Sequence, residues 1–151
     1  MQLNQATDYA FRAVLHLATL PPDTIVNGQT LAEKELIPQR FLLKIMRSLA
    51  SAGIIKSYRG TDGGFSLAKA AGDITLLAII EAMEGNVAIH RCLAERSACH
   101  KSCTHQCPVH HALQGVQQEL LSALANIDFA SLVQKGNKEG RETPLVLTAC
   151  K

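Results

Sequence analysis

Residues 92–111 read CLAERSACHKSCTHQCPVHH, and they hold four of the chain's five cysteines and four of its six histidines. His90 stands just outside. No other segment concentrates reactive side chains in this way. Thiolates and imidazoles are the donors that zinc and iron–sulfur clusters select. Cys99, Cys103, Cys107 and His111 recur every four residues. On one continuous helix they would form a column too long for a single tetrahedral ion. A zinc site would therefore need a bent loop, and the residue types make the stretch an expected metal-cofactor loop, for an iron–sulfur cluster or zinc.

The rest of the 151-residue chain has room for one domain, or one small domain with an appendage. Apolar residues make up 47 %, ample for a core, and Ala, Leu and Ile dominate over β-branched runs. A mainly helical protein follows. Asp8, Arg12 and His16 interrupt the first twenty residues, which read as neither a signal peptide nor a membrane span. The expected location is cytoplasmic, with no membrane partner. In a reducing compartment clustered cysteines bind metal or do redox chemistry more often than they form disulfides.

Charge is uneven. Between Pro38 and Lys69 stand Arg40, Lys44, Arg47, Lys56, Arg59 and Lys69 against the single acid Asp62, although the whole chain carries only +2. A basic segment on a near-neutral chain points to a local anionic partner, of which nucleic acid is the commonest.

In chain order, Ala10, Val14, Leu17 and Ala18 give residues 7–19 one apolar helical face. Asp8 falls in its first turn, within reach of Arg12, and Pro21 and Pro22 stop the helix. Thr30 and Glu33 form a capping box that starts a short helix ending near Leu36. Pro38 suits the first turn of a following helix that runs to Gly53. Two helices joined by a tight turn read as a helix-turn-helix. In the second, Phe41, Ile45, Met46, Leu49 and Ala52 are the expected core stripe. Arg40, Leu43, Lys44, Arg47 and Ser51 form the opposite face, fit for a major groove.

Two short strands, 54–58 and 65–68, flank the Gly-rich turn Arg59-Gly60-Thr61-Asp62-Gly63-Gly64. They predict a β-hairpin. Placed after a helix-turn-helix, it is a wing, with Arg59 poised for a minor groove. A nucleotide-binding glycine loop is discounted, because no Walker lysine and no βαβ context accompany it. Thr75 caps a helix from Leu76 to Glu84 that ends at Gly85. Pro108 opens a long helix to about Asn126 with Val109, Leu113, Val116, Leu120 and Leu124 along one stripe. So long a stripe in so small a domain suits pairing with a second copy of itself. Asp128 caps a last helix expected to end at Gly136, and a polar tail follows that includes Cys150.

This order of elements resembles the bacterial regulator family that contains the iron–sulfur sensor IscR, the nitric-oxide sensor NsrR and the cysteine-metabolism regulator CymR. The resemblance covers roughly residues 1–135. It rests on Thr7-Asp8-Tyr9-Ala10, on Arg59-Gly60-x-x-Gly63-Gly64-Phe65, and on Cys92…Cys99…Cys107-Pro108-Val109-His110. It implies a homodimer that binds double-stranded operator DNA through Gln39, Arg40, Leu43, Lys44, Arg47, Arg59 and Gly60. It also implies a cluster, [4Fe–4S] before [2Fe–2S], on Cys92, Cys99 and Cys107. Asp8, Cys103 and His110 are the candidates for the fourth ligand. Asp8 matches the carboxylate of NsrR-like members, and His110 lies near the histidine of IscR-like ones. Two departures stand out: Cys103 is additional, and Leu43 stands where IscR-like members carry a glutamate.

The expected fold class is mainly α with a small β-hairpin wing, a winged helix-turn-helix plus a long dimerisation helix. The expected divisions are 1–85 for DNA, 86–107 for the cluster loop, 108–135 for the dimerisation and terminal helices, and 136–151 for the tail. The expected function is a DNA-binding transcription regulator, of the repressor kind, controlled by a cluster that senses iron–sulfur status, redox stress or nitric oxide. The alternative is a zinc-stabilised or cluster-free regulator governed by a protein partner or by thiol oxidation. No nucleophile elbow, paired carboxylates or cofactor fingerprint accompanies the loop, so catalysis is not expected.

Overall fold

A computed structural model describes residues 2–60, 62–95 and 106–142. Helix α1 (Gln5–Ala18) opens at Asn4, whose Oδ1 accepts the Thr7 backbone N–H at 2.9 Å. It buries Thr7, Ala10, Ala13, Val14 and Leu17, spaced three and four apart so that they share one face. Helix α2 (Gly28–Lys34) starts earlier than the expected capping box. Asn27 is its N-cap and accepts from the Gln29 N–H at 2.8 Å. The preceding residue, Val26, is pinned by mutual backbone bonds with Phe65, both 2.9 Å. Thr30 consequently lies inside the helix, and Glu33 accepts from the Gln29 side chain instead.

The turn out of α2 satisfies its last carbonyls in a Schellman pattern. Ile37 N–H reaches the carbonyl of Ala32 at 2.9 Å, and Leu36 N–H that of Glu33 at 3.4 Å. The pattern needs a left-handed residue, and Leu36 supplies it at φ +53° where glycine is the usual choice. Helix α3 (Gln39–Ser51) follows, with Pro38 at its N-cap position. It ends in a second Schellman pattern at Gly53, φ +68°, with Ile54 N–H bonded to Leu49 O. The core stripe of α3 is Leu42, Ile45, Met46 and Leu49. Two expected members are displaced. Phe41 is 43 % exposed, and Ala52 lies beyond the helix on the surface. Residues 42, 45, 46 and 49 follow the helical repeat more closely than a stripe starting at 41.

Strands β1 (Ile55–Tyr58) and β2 (Gly64–Leu67) pair antiparallel, Ile55 opposite Leu67 and Tyr58 opposite Gly64. Val26 adds an isolated bridge to Phe65 on the outer side of β2. The two glycines before Phe65 are there for close approach. A Cβ on Gly64 would stand 2.2 Å from Val26 O, and one on Gly63 would stand 2.5 Å from Tyr58 O.

After a 3-10 turn (Ala71–Asp73) comes α4 (Leu76–Glu84), capped by Thr75 and stopped by Gly85 as expected. A one-turn helix, α5 (Arg91–Ala94), was not foreseen in the cysteine loop. Helix α6 (Pro108–Ala125) packs on α4 and α5, and α7 (Phe129–Glu142) returns to pack on α1 and the 3-10 turn. Phe129 is 1 % exposed, with its ring 6.5 Å from that of Phe11. Burying such a side chain contributes roughly 1.5–3 kcal/mol. The expected stop at Gly136 does not occur. Glycine in a helix interior costs only about 1 kcal/mol, and α7 runs through it to Glu142. The core lies where α1, α3 and α4 meet under the base of the wing.

Candidate functional site

One face of α3 is solvent-exposed, and its members follow from the helical repeat. Arg40, Leu43, Lys44 and Arg47 lie on it, opposite the buried stripe, and Gln39 is exposed at the first position of the helix. Leu43 is 50 % exposed among these cations. The Arg40 guanidinium sits 5.0 Å from the ring of Phe41, which braces it at the surface. At the wing, Arg59 and Gly60 are exposed where β1 leaves the sheet, and Gly60 takes φ +105°, open only to glycine. Lys56, Ser57 and Tyr58 extend this exposed edge along β1. Lys56 was legible only as part of the basic run, since its orientation depends on the pairing register. An exposed cationic helix face beside a cationic hairpin can straddle a duplex, one in the major groove and the other in the minor.

The second constellation lies around Cys92. His90 is the N-cap of α5, and its Nδ1 accepts the Cys92 backbone N–H at 3.3 Å. The same Nδ1 stands 3.1 Å from Cys92 Sγ. From the first turn of α6, His110 Nδ1 approaches the same sulfur to 3.3 Å. The segment leading to Cys92 is held at both ends. Ile89 N–H donates to Gln117 Oε1 of α6 at 3.1 Å. Glu84 at the end of α4 accepts from Asn4 N–H and from Thr7 Oγ1, at 3.0 and 2.6 Å. Neither Glu84 nor Gln117 carries a motif that sequence reading could have found.

Cys107 is half-buried at the N-cap position of α6, and like Cys92 it is a free thiol. Cys99, Cys103 and Cys150 lie outside the described residues. Of the three candidate fourth ligands, His110 is thus brought to Cys92. Asp8 is engaged elsewhere, in an ion pair with Arg12. Arg12 in turn stacks 5.2 Å from the Tyr9 ring and reaches Glu35 O in the helix-turn-helix turn at 3.4 Å. Among the described residues, no group of three or more His, Cys, Asp or Glu side chains is arranged to hold a metal ion. The donor set itself, a thiol flanked by two imidazole nitrogens, suits zinc or an iron of a cluster.

Helix α6 has no buried residue, and Val109 and Val116 on it are 64 % and 55 % exposed. No described helix is long and apolar enough to cross a membrane.

The helix-turn-helix, its wing and their shared basic face define a winged-helix DNA-binding protein. A family model described as "Rrf2: Iron-dependent Transcriptional regulator" matches residues 3–135, and the chain belongs to that family of transcription regulators. Solved structures agree on the fold. IscR of T. potens superposes with a TM-score of 0.68 at 21 % identity, over 92 % of this chain and 90 % of its own. CymR, the global cysteine regulator of B. subtilis, gives 0.71 at 19 % identity over 89 % and 97 %. The oxidised form of Staphylococcus aureus CymR gives 0.66 at 22 % identity over 88 % and 96 %.

Proposed function

We propose that this protein is a homodimeric repressor whose hold on operator DNA is set by an iron–sulfur cluster, [4Fe–4S] before [2Fe–2S]. Cys92, Cys99 and Cys107 would hold the cluster, with His110 as the nitrogen ligand. The observation that carries the reading is His110 Nδ1 at 3.3 Å from Cys92 Sγ, a contact made between two separate helices. His110 is preferred to Asp8, which is paired with Arg12; Cys103 lies outside the described residues. A cluster with one imidazole in place of a thiolate supplies a labile, redox-responsive iron, which is what sensing iron–sulfur status, oxidants or nitric oxide requires.

The chain's own residues do the rest. Arg40, Lys44 and Arg47 neutralise phosphates, Gln39 and Leu43 face base edges, and Arg59 with Gly60 enters the minor groove. The open face of α6, with Val109 and Val116, pairs with a second copy. That pairing sets two recognition helices about one turn of DNA apart, roughly 34 Å. Movement at Cys92 is passed to α1 through the segment that Gln117 and Glu84 anchor. Any resulting change in DNA affinity is matched by an equal change in affinity for the cluster.

Iron and acid-labile sulfide analysis of anaerobically purified protein, with its visible spectrum, tests the reading. A brown protein with about four iron and four sulfide per chain is the expected result. A colourless protein containing zinc overturns it in favour of a zinc-stabilised regulator.

A further inference from the structure

We infer that His16 is a positioning residue for DNA recognition: by way of Glu35 it fixes the start of α3, and with it the aim of Gln39 at the base edges. The inference rests on the DNA-binding reading above and is independent of what the cysteine loop holds.

The geometry around one turn residue supports it. Glu35 is the C-cap of α2 and the first residue of the turn into α3. His16 Nδ1 stands 2.7 Å from Glu35 Oε1, and the two side chains are only 15 % and 22 % exposed. One helical turn earlier on α1, Arg12 Nη1 donates to the Glu35 backbone carbonyl at 3.4 Å. Residues 12 and 16 share one face of α1. A single helix thus grips Glu35 by both its side chain and its backbone.

The pair's chemistry explains the choice of histidine. A carboxylate only accepts, so Nδ1 carries the proton and donates. Nε2 is then left buried, with no hydrogen-bond partner among the described residues. An apolar side chain would fill the same place without leaving a polar atom unpaired. The bond to Glu35 is what an imidazole supplies there and a leucine would not.

The turn needs such a hold. Leu36, the next residue, sits at φ +53°, which a residue with a Cβ rarely adopts. Strained backbone of this kind persists only where its surroundings over-determine it. Pro38 and Gln39, the N-cap and first residue of α3, follow at once. Leu42, Ile45, Met46 and Leu49 seat the rest of α3 in the core, whereas Gln39, Arg40 and Phe41 ahead of them are exposed. The direction of that first turn is therefore set by the chain entering it. In helix-turn-helix readers the N-terminal residues of the second helix meet base edges. Loosening Glu35 thus disturbs sequence discrimination and leaves the phosphate contacts of Lys44, Arg47 and Arg59 in place.

The test measures DNA affinity of wild-type protein, His16→Leu, His16→Asn, Glu35→Ala and the double variant of His16→Leu with Glu35→Ala. Two duplexes are used over a range of salt concentrations: one selected from a random pool with wild type, and a scrambled version of it. Asparagine places an amide N–H near the position of Nδ1 and keeps a donor for Glu35. The inference expects His16→Leu and Glu35→Ala each to bind the selected duplex about tenfold more weakly, the scale of one lost base contact. Affinity for the scrambled duplex, and its salt slope, should stay as in wild type. The double variant should lose no more than either single one, and His16→Asn should bind as wild type does. If circular dichroism shows that His16→Leu does not fold, Glu35→Ala and His16→Asn decide the matter. Folded variants that discriminate between the duplexes as wild type does overturn the inference. So does parallel weakening on both duplexes, which marks a general loss of structure, and so do additive losses or a His16→Asn protein that loses its discrimination. Wild-type protein that selects no duplex overturns the DNA-binding reading, and the inference with it.

Discussion

Thr7 Oγ1 donates to Glu84 Oε1 at 2.6 Å and thereby joins the first turn of α1 to the last residue of α4. Thr7 is fully buried, and the same carboxylate oxygen also takes the Asn4 N–H. Asp8 follows Thr7 directly, and the segment to Cys92 leaves from Glu84. The contact thus ties the first turn of α1 to the start of the segment that leads to Cys92.

Replacing Thr7 with valine keeps the volume and removes the donor. A hydrogen bond to a charged group contributes about 1.5–3 kcal/mol, and Thr7→Val should lose an amount in that range in urea unfolding. Unchanged stability would show that the hydroxyl is incidental.

Leu36 offers the opposite sign. Its left-handed backbone costs about 1–2 kcal/mol for any residue with a Cβ, and its side chain is 82 % exposed, so little burial compensates. Leu36→Gly should stabilise the folded chain by about 1 kcal/mol, read as a higher urea midpoint. A lower midpoint would mean that the leucine makes contacts that outweigh its strain.

The basic face predicts a salt effect. Lys44→Ala and Arg59→Ala should each weaken duplex binding and lower the slope of log affinity against log salt by about 1. Combined, they should abolish retention in a gel shift. Binding that survives both substitutions would remove α3 and the wing from the interface.

Asp128 gives a pH signature. Hydrogen bonds from Ser131 N–H and then Ser131 Oγ hold its carboxyl below the usual carboxylate range. A group whose folded pKa is depressed adds stability above its unfolded pKa and loses it as pH falls through the folded value. The gap in Tm between wild type and Asp128→Ala should therefore be widest near neutrality and close below about pH 4. A gap independent of pH would contradict this origin.

Much of this molecule was readable before the structure. Thr75, Gly85, Gly53 and Pro108 each mark a helix boundary through a local chemical need, and each boundary was found where those residues place it. The misplaced features depend on distant partners. Thr30 and Glu33 make a sound capping box, but Asn27, held by the Val26–Phe65 bridge, starts α2 first. Phe41 is as apolar as any core residue, and only the packing phase of α3 places Leu42 inside instead. At the cysteine loop the candidate donor types, thiol and imidazole, can be read from composition alone. The convergence of His90 and His110 on one sulfur cannot, because it requires α5 and α6 to be adjacent.

The most direct test of the account compares DNA binding by the two states of the protein. Cluster-loaded and chelator-stripped protein would be titrated anaerobically, at one fixed salt concentration, against a duplex selected from a random pool with either form. The account predicts affinities that differ at least tenfold, about 1.4 kcal/mol, for intact dimers in both states. Equal affinities would contradict it, leaving a DNA-binding protein whose cysteine centre does not control DNA.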